Sequence, residues 1–201
     1  MIRWRLCGVL LLAATVVSCA TAPPTRVGNL CDIFDEKGSW YSKANKASKR
    51  WGSPIGVMMA MMYQESSFRA TAKPPRKKIL WVIPGPRLSS AYGYPQAKTA
   101  TWKWYKKSSG NWGADRDKFG DAIDFIGWYN NQSKKSNNIA LDDTYRLYLA
   151  YHEGHGGYAK GSYRQKKWLV NVAKKVSARA SRYQQQLKGC EKRMQRGWWP
   201  F

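Results

Sequence analysis

Ser53-Pro54-Ile55-Gly56-Val57-Met58-Met59-Ala60-Met61-Met62-Tyr63-Gln64-Glu65-Ser66-Ser67-Phe68 is an apolar run that closes on a carboxylate. Read as a helix over 54–68, it sets Ile55, Met58, Met62 and Glu65 in one stripe, at helical spacing. Ser53 is predicted to cap that helix and Pro54 to occupy its first turn. A carboxylate in line with an apolar stripe loses water, and desolvation disfavours its charged form. A glutamate so placed becomes a proton donor near neutral pH. The alternative is a glutamate at the end of its helix that turns into solvent.

The surrounding sequence is mostly helical by the same criterion. Residues 31–50 are predicted to form a helix that buries Ile33, Phe34, Trp40 and Tyr41, with Trp51-Gly52 stopping it. Prolines 74, 75, 84 and 86 exclude a helix over 71–90 and leave room for a short hairpin around Ile79-Leu80-Trp81-Val82-Ile83. Further helices are predicted over 95–107, over 115–132 with Phe119, Ile123 and Ile126 inward, and over 144–152 behind a cap at Asp142 or Asp143. Gly154, Gly156 and Gly157 are expected to form a bend. A last helix over 165–188 carries Leu169, Val172, Val176, Tyr183 and Leu187 on its apolar face. The fold class is therefore mainly α, in one domain, since about 180 residues hold one core and rarely two.

The ends of the chain have other duties. Arg3 and Arg5 precede an apolar run over 6–17 that has the length of a signal-peptide core. It closes on Val16-Val17-Ser18-Cys19, which resembles a bacterial lipobox. The resemblance implies cleavage before Cys19 and acylation of its sulfur, giving stable attachment to a membrane through several chains. Ala20 follows the cysteine, so the periplasmic face of an outer membrane is expected. Residues 1–18 are then a lipoprotein signal peptide, 19–30 a lipidated tether, 31–190 the folded domain and 191–201 a C-terminal tail. Cys31 and Cys190 remain in an oxidising compartment, and a disulfide between them is expected.

The charge is +23, from 35 basic and 12 acidic residues. Without Arg3 and Arg5 it is still +21, 33 basic against 12 acidic. Such an excess usually suggests nucleic acid, which an exported lipoprotein rarely meets. The polyanions expected outside the cytoplasm are lipopolysaccharide, anionic lipid and the carboxylates of the cell wall, and charge governs attraction to them rather than chemistry.

Three segments occur in order: Tyr63-Gln64-Glu65-Ser66-Ser67-Phe68, Ser90-Ala91-Tyr92-Gly93-Tyr94-Pro95-Gln96, and Ala150-Tyr151-His152-Glu153-Gly154-His155-Gly156-Gly157-Tyr158. Together they resemble the Glu-Ser, Gly-Leu-Met-Gln and Ala-Tyr-Asn-Ala-Gly motifs of the soluble lytic transglycosylase (SLT) family, over roughly residues 40–185. Tyr94-Pro95 stand where that pattern has Leu-Met, and His152-Glu153 where it has Asn-Ala. The resemblance implies a lysozyme-like fold with Glu65 as the catalytic acid and Ser66 as the serine beside it. Gly93 and Gln96 would lie along a glycan groove with Ser90 and Tyr92, and Tyr151 would stand near the catalytic carboxyl. His152 takes the position of the motif's asparagine.

A glycosidase of the two-carboxylate kind needs a nucleophile or base besides its acid, yet no Asp or Glu lies between Glu65 and Asp115. A lytic transglycosylase needs only one. Glu65 would protonate the oxygen joining N-acetylmuramic acid to N-acetylglucosamine in peptidoglycan. The resulting carboxylate would take the proton of the muramoyl C6 hydroxyl as a 1,6-anhydro ring closes, with no metal or cofactor. The chain is expected to work as a monomer. Glu153 is either a second carboxylate, as a hydrolytic muramidase requires, or a hydrogen-bonding group within the glycine bend. His152 and His155 are three apart with Gly154 between, whereas a zinc-binding helical pair is four apart. Trp81, Trp102 and Trp104 are candidates either to stack on sugars or to pack in the core, and Trp198-Trp199-Pro200-Phe201 either to enter a membrane interface or to remain disordered. A non-catalytic wall-binding lipoprotein is the reading from outside enzymology.

Overall fold

A helix that is to bury a proton donor needs apolar neighbours on every side, and the chain supplies them in order. The computed structural model describes residues 22–79 and 83–196, with side chains everywhere except 77–79 and 83–84. The expected signal peptide, Cys19, Trp81 and the segment Trp198-Trp199-Pro200-Phe201 lie outside the described residues.

Helix α1 (Leu30–Glu36) is capped by the Asn29 side chain, which accepts from the Cys31 amide. A turn through Gly38 follows, closed by Trp40 N–H to the Lys37 carbonyl, before α2 (Trp40–Trp51) begins. The helix predicted over 31–50 is thus two helices. The turn between them lets Trp40 stack on Phe119 with ring centroids 3.9 Å apart, against the edge of Tyr94. Gly52 ends α2 in the left-handed conformation, φ 77°.

Helix α3 (Ile55–Ser66) starts one residue after Pro54, which is its N-cap without a side-chain hydrogen bond. Ser53 does not cap it; its hydroxyl accepts from Asn130 Nδ2 at 2.9 Å. Every residue from Ile55 to Met62 is buried, so α3 is a central core helix rather than a striped one. It packs mainly against α8, and Gly56 makes that approach possible. A Cβ there would stand 2.8 Å from the Gln184 amide nitrogen and 3.0 Å from the Ala180 carbonyl oxygen.

The proline-rich segment forms an antiparallel hairpin, β1 (Arg76–Ile79) with β2 (Ile83–Arg87). Helix α4 (Thr99–Ser109) begins four residues after Pro95, because 92–97 form a turn closed by a bridge between Tyr92 and Ala97. Helix α5 (Phe119–Asn137) likewise begins later than predicted, and Asp115 forms an ion pair with Lys118 ahead of it. Asp143, of the two candidates, caps α6 (Thr144–Glu153) by accepting from the Arg146 amide. Gly154 (φ 76°) breaks the chain, but Gly156 and Gly157 lie within a short helix α7 (His155–Ala159) rather than a bend. A 3₁₀ turn (Ser162–Gln165) then leads into α8 (Lys167–Gln195).

Leu169, Ala173, Val176, Ala180, Tyr183, Leu187 and Cys190 form one buried stripe along α8, and Val172 is half-buried beside it. The helix continues past Cys190 to Gln195, so the expected tail at 191–201 opens as helix. Cys31 and Cys190 are joined by a disulfide. The molecule is mainly helical, with α3 at its centre and α8, α5, α2 and α6 around it.

Candidate active site

Glu65 sits one residue from the end of α3, where the buried helix reaches a cleft of about 280 Å³. The cleft is lined by Glu65 from α3, Gln96, Lys98 and Thr101 from the turn and the start of α4, Phe125 and Tyr129 from α5, and Tyr151, His152 and Glu153 from α6. Glu65 keeps only a minor part of its surface accessible. Desolvation raises its pKa to about 7, against which the Tyr148 hydroxyl hydrogen-bonds to the carboxylate and pulls it down. The group therefore exchanges its proton near neutral pH, which suits a general acid that must later act as a base.

Helix α6 presents Tyr148 and Tyr151 one turn apart, toward the same carboxyl. Tyr151 donates to the Pro95 carbonyl at 2.5 Å and packs against Tyr129 and Phe125. Burial foremost, then the charge of Glu65, pushes its phenol well above the ordinary range. Tyr151 is thus a neutral donor whose hydroxyl is engaged by backbone. That bond ties α6 to the turn carrying Gln96.

The second motif builds this turn, and its Gln96 also lines the cleft. Gly93 has φ 74°, and a Cβ on it would lie 2.2 Å from the Arg116 carbonyl oxygen. That carbonyl accepts from the Tyr94 amide. Gln96, also at positive φ (48°), donates through Nε2 to the Ala72 and Gly93 carbonyls while lining the cleft. Ser90 and Tyr92, expected along the groove, are not among the residues that line this cleft. The Ser90 hydroxyl accepts from the Thr99 amide at the start of α4, and Tyr92 donates to Asp117. Ser66 is buried and returns its hydroxyl to the Met62 carbonyl, a bond within the helix. Trp102 is core, its indole N–H on the Ala114 carbonyl. Trp104 packs edge-on against Trp128 and near His155.

Glu153 lines the cleft yet is almost fully enclosed, 4% exposed. It does not bond within the glycine segment. It accepts from Lys166 Nζ at 2.8 and 3.0 Å and from the Ser162 hydroxyl, and it meets His152 Nδ1 at 3.0 Å. Burial alone would raise its pKa, but these bonds outweigh burial and hold it down at about 2. At neutral pH it is an ionised strut.

Tyr148, Tyr129, Phe125, Lys98 and Thr101 were not singled out in the sequence. Tyr148 was within reach of sequence reasoning, since it lies three before Tyr151 on the same helix face. The others reach the cleft only through the packing of α4 and α5.

A family model described as Transglycosylase SLT domain matches residues 7–190. No curated protein and no solved structure matches the chain.

Proposed function

The chain belongs to the transglycosylase SLT domain family, and from that premise we propose that it is a peptidoglycan lytic transglycosylase working through Glu65 alone. The reading is carried by one observation: Glu65, next to last in a buried helix, lines the cleft, where desolvation raises its pKa to about 7. Protonated Glu65 donates to the glycosidic oxygen as the bond from muramoyl C1 to that oxygen breaks. The muramoyl C6 hydroxyl then attacks C1 and returns its proton to the Glu65 carboxylate. The product is a 1,6-anhydro end, and the acid is regenerated with no water consumed. Tyr148 steadies the carboxylate between the two transfers, which fits its hydrogen bond and its own strongly raised pKa.

Hydrolysis would assign Glu153 the activation of water. Its pKa of about 2 makes it a poor base, and its oxygens are occupied by Lys166, Ser162 and His152. Further to this reading, residues 1–18 are a signal peptide and Cys19 is acylated, which places the cleft over the wall from the periplasmic face of an outer membrane.

Purified sacculi digested with the parent chain should release 1,6-anhydromuropeptides. Glu65→Gln should lose at least about 100-fold in rate, the lower end of what a general acid contributes. Undiminished release by that variant would sink the catalytic assignment, and products with reducing ends would replace it with hydrolysis.

A further inference from the structure

Most large aromatic rings here are buried, Trp40, Trp102 and Trp128 among them, whereas Trp168 is 56% exposed. A single exposed tryptophan is ordinary; the bracing of this one is not. Its ring stands edge-to-face with His152, centroids 5.1 Å apart, and His152 lines the cleft that holds Glu65. Among the described residues, the other strongly exposed tryptophans, Trp104 and Trp112, make no ring contact with a residue lining that cleft.

Glu153 secures the pair from both sides. It meets His152 Nδ1 directly, and it binds Lys166, which stands two residues before Trp168 and whose amide is fixed on the Tyr163 carbonyl. An indole so placed sets an apolar plate beside a residue of the cleft wall, held by a ring contact that lowers the cost of ordering it on binding, and the axial C–H faces of pyranose rings pack on such plates.

We propose that Trp168, braced by His152, forms an outlying saccharide subsite that grips a sugar beyond those flanking the scissile bond. The proposal rests on the glycan-cleaving reading above and adds a preference for longer strands. Glu153 is then a positioning residue for this subsite.

The test is calorimetric binding to the full-length Glu65→Gln chain, which holds glycan without turnover. The probes are peptide-free N-acetylglucosamine–N-acetylmuramic acid oligomers of two and of four disaccharide units. Adding Trp168→Ala should lower the ratio of long-chain to short-chain affinity roughly three- to tenfold. Trp168→Phe, which keeps a ring, should retain most of that ratio. An unchanged ratio in Trp168→Ala overturns the subsite while leaving the enzyme reading intact. If the Glu65→Gln chain binds neither oligomer, the glycan reading fails and the subsite fails with it.

Discussion

Glu65 is costly to the fold that carries it. Its pKa is about 4.5 as a free side chain and about 7 in the cleft, raised by burial against the pull of Tyr148. Between those values the folded chain holds a proton that the unfolded chain has lost, so stability falls as pH rises from about 4.5 through 7. Below that window the group is neutral in both states and contributes no penalty. Above it the shift corresponds to about 3 kcal/mol of destabilisation. Glu65→Gln, which is neutral throughout, should therefore be more stable than the parent at pH 8 by up to that amount, and nearly equal to it at pH 4. Urea unfolding at the two pH values measures this directly. An equal stability difference at both would show that burial does not tune this carboxyl. At this scale the sequence was informative where chemistry is tied to residue type. A lone carboxylate after a run of methionines could be recognised, and so could Tyr151. The anchoring of Ser66, Ser90 and Tyr92 was not legible, because a hydroxyl bonds to whatever backbone or side-chain partner the fold brings near it.

Elements were legible in kind and blurred at their ends. The periodicity of α8 fixed most of its buried face, from Leu169 to Leu187, since one long helix lies against one core. The division of 31–50 into α1 and α2 was hidden because Gly38 and Ser39 are mild breakers, and the stacking of Trp40 on Phe119 that rewards the turn is tertiary. Local propensity cannot report such a contact. The turn that presents Gln96 was equally hidden, and its tolerance is specific. At Gly93 a side chain would meet both the φ of 74° and the Arg116 carbonyl at 2.2 Å, whereas at Gly110 the φ is also 74° but the space is open. Gly110→Ala should cost about 1–2 kcal/mol, the conformational penalty alone. Gly93→Ala should cost at least about 2 kcal/mol more, because the Tyr94 bond to Arg116 must move. Paired thermal melts separate the two contributions. Equal losses would mean that the turn yields freely and does not hold Gln96 in place.

The full sequence carries a net charge of +23 and the described residues enclose one apolar centre, so like charges oppose compactness. Helices α1 and α8 are tied to each other near the two limits of the described residues. The Cys31–Cys190 bridge closes a separation of 159 residues, and the same junction holds Leu30 N–H on Gln186 and Arg193 on Asp35. These neighbours are individually small contributions, since the Arg193–Asp35 pair is largely exposed. The disulfide is larger: by chain entropy, closing so long a loop stabilises the fold by about 5 kcal/mol. Replacing Cys31 and Cys190 together by serine should therefore lower unfolding free energy by several kcal/mol, read as an earlier urea midpoint. The loss should deepen at low ionic strength, where the basic charges repel one another most. Activity on sacculi at low temperature should persist, because Glu65, Tyr148 and Tyr151 are positioned by α3 and α6 and not by α1. If activity vanished while near-ultraviolet dichroism stayed native, the junction would be coupled to the cleft, and α8, which contacts both α3 and α6, would be the element that couples them.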